Sequence, residues 1–284
     1  MSIYEKKKRP LEGALCGLVY LSGALTVLLL AGIICYVAVK GIGGISPEFL
    51  TTVKSAAKGT FGILGYLVNT LYIIIITLAA AIPIGIGAAV YLTEYAGGGK
   101  WVSAIEFAAE TLSGIPSIIF GLFGMVFFGQ TLHLGFSILC GALTLTLMIL
   151  PIIVRTTQEA LRAVPESYRT AALGMGARKW HMIRTVILPS AMPGIVTAVI
   201  LSIGRIVGES AALLFTAGSV YLLPKGIFSH ILSSGGTLTI GMYLEMADGN
   251  TENAFSMALV LLVLVFIINT AARLAAKKTD KAES

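Results

Sequence analysis

Little in this chain can carry charge, bind a metal or do covalent chemistry. Only 12% of its 284 residues are charged, far too few to solvate the surface of an ordinary soluble domain. Cysteine and histidine occur three times each. Cys16, Cys35 and Cys140 stand far apart inside apolar runs, without metal-ligand spacing, and read as small buried hydrophobes. His133, His181 and His230 are isolated at or beyond the ends of such runs; His133 and His230 read as surface or interfacial residues. There is no G-x-x-x-x-G-K-[ST] phosphate loop, because "GGGKW" at 97–101 lacks both the earlier glycine and the hydroxyl residue. There is no H-E-x-x-H and no G-x-S-x-G. The chain is therefore not expected to hydrolyse ATP by itself, and an intramembrane enzyme has no candidate constellation.

What it has instead is hydrocarbon. Hydrophobic residues make up 56% of the sequence and the mean hydropathy is +0.91. A spanning helix needs about 20 predominantly apolar residues, and six windows qualify: 14–39, 65–92, 104–129, 136–155, 190–216 and 254–276. The expected fold is an all-α integral membrane protein with six transmembrane helices. Lys6, Lys7, Lys8 and Arg9 precede the first window as they would in a secretory signal, but the run is too long for such a segment and no A-x-A site follows; it reads as a retained helix. Fourteen lysines and arginines fall on the side of both termini and the 156–189 loop, against Lys40, Lys54, Lys58 and Lys225 on the other. The positive-inside rule then makes both tails and that loop cytoplasmic, and the net charge of +6 needs no nucleic acid to explain it.

The chain divides into a tail (1–13), a first transmembrane helix (14–39), an external loop with room for one short helix (40–64), a membrane core (65–276) and a second tail (277–284). In "SGIPSIIFGLFG", Gly114 and Pro116 invite either a break or an ordinary kink. At a break, Ser113 and Ser117 can bond the freed backbone groups, and broken helices at membrane depth usually face a cavity. Pro83 and Pro151 sit within other windows. In the 156–189 loop, Pro165 and Glu166 open a short helix, Gly174 and Gly176 end it, and a second amphipathic helix stops before Pro189. The first helix presents Ala171 and Ala172, small enough for a groove on another protein, although a helix lying on anionic lipid fits the same pattern. Residues 217–253 return outside, too broken to span again.

Two opposite charges remain inside "ILSIGRIVGESAALLFTAG". Arg205 lies about 24 Å along a helix from Pro189, well inside the bilayer. An arginine there costs roughly 2.5–3.5 kcal/mol. Glu209, one turn on, is expected on the same helix face, but an exposed i, i+4 pair returns only about 0.3–0.5 kcal/mol. Either the pair is buried and locks helix packing, or its face opens on a transport pathway. Arg155 ends the fourth window, where an arginine can simply anchor the helix by snorkelling. If it shares a pathway with Arg205, two guanidinium forks await an anion.

The 156–189 loop resembles the signature of ABC-importer permeases. That signature has an E-A-A tripeptide, a glycine four residues later, and I-x-L-P; here Thr170, Ala171, Ala172, Gly176, Val186, Leu188 and Pro189 stand in register. Thr170 replaces the family's glutamate and Val186 its isoleucine. "SGIPSIIFGLFG" and "GRIVGESAALLFTAG" are similar to the PstA-type phosphate-transport permeases. The resemblance implies the MetI-like type I importer fold with a cytoplasmic coupling helix, and phosphate as substrate. The implied partners are a PstC-like permease subunit, a PstB-like cytoplasmic ATPase that uses ATP and magnesium, and an external phosphate-binding protein; this chain itself holds no cofactor and is not an enzyme. It also implies that Ala171, Ala172 and Gly176 seat in the ATPase, and that Arg155, Arg205 and Glu209 accompany phosphate passage. Rival readings are a permease for another oxyanion such as molybdate or sulfate, and a stand-alone channel or secondary transporter.

Overall fold

With no water in the bilayer core, an apolar run must satisfy its backbone within itself, and helices follow. The computed structural model describes residues 10–55, 60–97, 99–223 and 226–282. Its long helices are α1 (Pro10–Gly41), α3 (Leu64–Val90), α6 (Ile138–Ala163), α9 (Leu188–Gly208) and α13 (Thr251–Ala282). Between them lie the shorter α2 (Pro47–Thr51), α4 (Lys100–Ser113), α5 (Ser117–Gly124), α7 (Glu166–Gly174), α8 (Lys179–Met182), α10 (Ala211–Thr216), α11 (Ile227–Ile231) and α12 (Leu238–Ala247). Among the described residues, five helical stretches are long and apolar enough to cross a membrane, or six if α4 and the Ser117–Thr131 stretch, bent by 102°, form one crossing. The third window is thus a broken helix, not a kinked one: Gly114, Ile115 and Pro116 separate its legs.

α6 is the centre. It packs on α3 and α9 and also touches α4, α5 and α10; 61% of its apolar window is buried, against none for α1. Association in lipid depends on close packing more than on expelling water. Gly194 of α9 meets Ala160 of α6 so closely that a Cβ at 194 would lie 2.4 Å from the alanine Cβ. Near the other end of α6, Gly141 lies against Leu213 of α10, so α6 and α9 run antiparallel in a fixed register. α1 touches the bundle mainly through α13, where Tyr36 meets Phe255 edge-on at 5.6 Å. Cys140 is buried as expected, whereas Cys16 and Cys35 lie on the uncovered surface of α1.

At one end of the bundle, which we term the loop end, α7 and α8 sit on a second apolar cluster that includes Val90, Leu161, Ala172, Met182 and Ile187. The helix expected to stop before Pro189 runs on: Lys179–Gly208 is one stretch. Pro189 offers no N–H to Thr185, and the turn before it widens to π geometry over Ile183–Ile187 without ending the helix.

The opposite, far end is more ordered than its polar sequence suggested. Residues 40–64 hold α2 and an antiparallel pair, β1 (Val53–Ser55) and β2 (Thr60–Ile63), an exception to an otherwise helical fold. Residues 217–253 supply α11 and α12, and Leu238, Thr239, Ile240 and Glu245 of α12 are buried. The Lys54 ammonium pairs with the buried Glu245 carboxylate, which also accepts from Asn250 at 3.0 Å. His230 is buried, not surface: its Nε2 meets Asn69 Oδ1 at 2.7 Å, and Asn69 Nδ2 donates to the carbonyls of Val220 and Gly236.

Candidate functional site

α9 buries Ser202, Ile203, Ile206 and Val207, which leaves Leu201, Gly204, Arg205 and Gly208 on the face turned away from the core. Among the described residues, nothing outside the helix itself stands within 4 Å of a Cβ placed at Gly204 or Gly208. Depth follows from the register. Arg205 lies 11 residues beyond Gly194, which at 1.5 Å per residue sets it level with about Ile149, the middle of α6. By this register the guanidinium stands level with the middle of α6, on a face that no described residue covers.

Its expected partner does not hold. α9 ends at Gly208, and Glu209 is extended (φ −80°, ψ 127°). Its carboxylate accepts the Ala212 amide at 3.0 Å, at the start of α10, and its carbonyl accepts Thr239 Oγ1 at 2.9 Å. Four-residue spacing places two side chains on one face only while the helix persists. Among the described residues, Arg205 makes no ion pair with Glu209.

Arg155 occupies a different place. It lines a cavity of about 420 Å³ between α4 and α6, with Glu106, Glu110, Ser113, Glu159 and Arg162. By the same helical rise it stands about 9 Å nearer the loop end than Arg205, so the two arginines are successive in depth and do not form one fork. Arg155 is 3.6 Å from both Glu110 and Glu159, all three side chains about two-thirds exposed. Arg162 donates to Glu106 at 2.8 Å, and Gln158 donates to the same oxygen at 3.0 Å. Three carboxylates thus face two guanidiniums in the cavity wall, and Arg155 is not an idle anion trap. Ser113 lines this cavity and donates to the Glu110 carbonyl at 2.7 Å, partly satisfying the break as expected. Ser117 lies across the bend at the start of α5; its neighbour Ile118 shares a smaller cavity of about 230 Å³ with Ser210 and Ala211.

α7 forms over Glu166–Gly174 and closes on a glycine. Gly176 (φ +84°) takes the left-handed conformation; its N–H reaches Leu173 O at 2.9 Å, and the N–H of Ala177 reaches Ala172 O at 3.1 Å. Ala171 faces outward, but Ala172 is 4% exposed and packs on the bundle, a correction to the expectation that both are presented. Thr170 is exposed, its hydroxyl bonded back to the carbonyls of Glu166 and Ser167. Leu188 and Pro189 are half-buried at the start of α9, with Leu188 against the loop-end cluster. The sequence reading passed over Tyr168, Leu173, Met175 and Trp180, large apolar side chains exposed on this surface; their signal was their oddity in a charged loop. It also passed over Arg169, which turns inward to Glu94 (2.9 Å), the two side chains only 13% and 6% exposed. The bonded Glu94 carboxylate holds the Arg169 guanidinium above its ordinary range.

Residues 81–281 match the family described as "Binding-protein-dependent transport system inner membrane component". The "Probable ABC transporter permease protein YqgI" of Bacillus subtilis is 36% identical, the match covering 90% of this chain and 92% of that one. The "Phosphate transport system permease protein PstA" of Xylella fastidiosa is 35% identical over 82% of this chain and 81% of that one. The fold is shared with a bacterial alginate ABC transporter solved with its periplasmic protein (TM-score 0.70, 14% identity), over 95% of this chain and 96% of that one. With its apolar crossings and a match over most of its length, the chain belongs to the family of inner-membrane permease components of binding-protein-dependent ABC importers, and it is similar to the PstA members of that family.

Proposed function

We propose that this chain forms half of the pathway of an ATP-driven phosphate importer. The observation that carries the reading is Arg205, a guanidinium level with the middle of α6 on a face that no described residue covers. Lipid is a poor environment for that face; a second, PstC-like permease subunit is a good one, with the substrate path between the two. The similarity to PstA proteins supports phosphate as the substrate. A phosphate dianion must shed water at a constriction, and a guanidinium replaces it with two donors at once while staying charged.

The positive-inside rule puts the loop end in the cytoplasm. There a PstB-like ATPase docks on α7 through Ala171, Thr170 and the exposed Tyr168, Leu173, Met175 and Trp180, with the Gly176 turn and the Leu188–Pro189 segment setting the angle of the helix. A phosphate-binding protein delivers substrate to the far end. ATP binding closes the ATPase dimer, pushes α7 and reorients the spans, while ATP and magnesium stay on the partner. The anion meets Arg205 first and Arg155 about 9 Å later. At Arg155 the carboxylates of Glu110 and Glu159 compete with it, so it is released rather than held; conduction needs sites that let go. Ser113 borders this exit and Ser117 the bend above it.

The test is uptake of radiolabelled phosphate by the assembled complex in proteoliposomes, wild type against Arg205→Gln. Loss of uptake with ATP hydrolysis retained is expected; undiminished accumulation overturns the reading. Molybdate or sulfate competing as well as phosphate would assign the pathway to another oxyanion, and flux through this chain alone would make it a channel.

A further inference from the structure

α7 joins the bundle at both ends through non-helical backbone. Val164 and Pro165 are extended (ψ 126° and 139°), and the Met175–Arg178 turn contains the left-handed Gly176. Apolar packing adds little, since Ala172 is the buried residue of α7. One side chain does most of the joining. Arg169 donates to Leu161 O and Val164 O at 2.9 Å each, two carbonyls at the C-terminal end of α6. The same guanidinium reaches Glu94 through Nε at 3.2 Å and Nη2 at 2.9 Å. Glu94 belongs to the π-helical turn Tyr91–Tyr95 that ends α3. One largely buried group therefore fastens α7 to α3 and α6 at once, and those two helices share the broadest contact in the bundle.

We infer that the Arg169–Glu94 clamp is the rigid link through which movement of α7 reaches α3 and α6, which makes Arg169 a positioning residue for energy coupling. Without it, α7 would meet the bundle only through the two non-helical connections and Ala172. With the clamp closed, α7 and the loop ends of α3 and α6 move as one body, and the cavity wall that carries Arg155 moves with them. The inference rests on the importer reading above.

The experiment uses the full complex in proteoliposomes with its binding protein, and the readout is phosphate moved per ATP hydrolysed. In Arg169→Gln the ATPase subunit stays bound and hydrolyses ATP, and transport per ATP falls about tenfold. Glu94→Gln, which keeps a hydrogen bond but loses the charge, falls by a smaller factor in the same direction. With Cys16, Cys35 and Cys140 replaced, a Glu94→Cys/Arg169→Cys complex is uncoupled as free thiols and recovers coupling when a short bifunctional thiol reagent bridges them. A merely structural role predicts no recovery. Wild-type transport per ATP in Arg169→Gln, or no recovery on bridging, overturns the inference; should Arg169→Gln fail to assemble, an unchanged ratio in Glu94→Gln overturns it. A wild-type complex that hydrolyses ATP without moving phosphate refutes the substrate reading alone. Binding-protein-stimulated hydrolysis then serves as the readout: its loss in Arg169→Gln supports the clamp and its persistence refutes it.

Discussion

The Glu209 carboxylate accepts the amide of Ala212 at 3.0 Å and leaves Arg205, four residues earlier, without it. The acid is thus a bracket between two helices. Glu209→Gln keeps an acceptor oxygen, and uptake should stay within about twofold of wild type. Glu209→Ala removes the bracket and should lower stability by about 1 kcal/mol, as loss of a helix cap does. A thermal shift of the purified complex measures the second, and vesicle uptake the first.

Arg205 is a different case, because among the described residues no carboxylate pairs with it. Replacing a charge-assisted donor pair by an amide forfeits about 1.5–3 kcal/mol, or roughly 10- to 150-fold in transport. Arg205→Lys keeps the charge without the fork and should fall between Arg205→Gln and wild type. ATP hydrolysis measured on the same vesicles separates a pathway defect from misassembly.

In the α4–α6 cavity, Glu110→Gln should make the exit slower. Removing one carboxylate leaves Arg155 freer to hold an anion, and exposed pairs of this kind are worth about 0.2–1 kcal/mol. Turnover at saturating ATP should drop up to about fivefold, and added salt should narrow the gap.

The left-handed Gly176 makes a backbone prediction. Gly176→Ala must adopt φ +84°, or else unwind the turn that closes α7. A cost of about 1 kcal/mol is expected, read as weaker retention of the ATPase subunit during purification while the membrane core keeps its melting temperature.

Acidification should act at the far end. Burial lowers the pKa of His230 from its ordinary value, so the unfolded chain binds more protons there than the folded one. The stabilisation is complete above the unfolded pKa of about 6.5 and is lost as the pH falls below it. The melting temperature of the wild type should therefore decline below that pH, and decline less in His230→Asn.

Composition and motif carried the class and much of the plan. Long Leu-, Ile- and Ala-rich windows announce helices because lipid permits little else, and the loop signature led to α7 and its glycine closure. What stayed hidden required contacts between distant parts of the chain. Arg169 looks like any cation in a basic loop until Glu94, 75 residues away, arrives beside it. Lys54 and Glu245 are equally unpairable on paper. The Arg205–Glu209 spacing misled because helical arithmetic cannot announce where a helix stops, and here it stops one residue too soon. His230 misled for a simpler reason: its loop is polar in sequence yet folds onto the bundle.

The uncovered side of α9 has an evolutionary corollary. On the proposed reading the surroundings of Arg205 belong to a second polypeptide, so a harmful change at Leu201, Gly204 or Gly208 can be repaired by a second change outside this chain. Suppressors of such lesions should therefore map to a different reading frame.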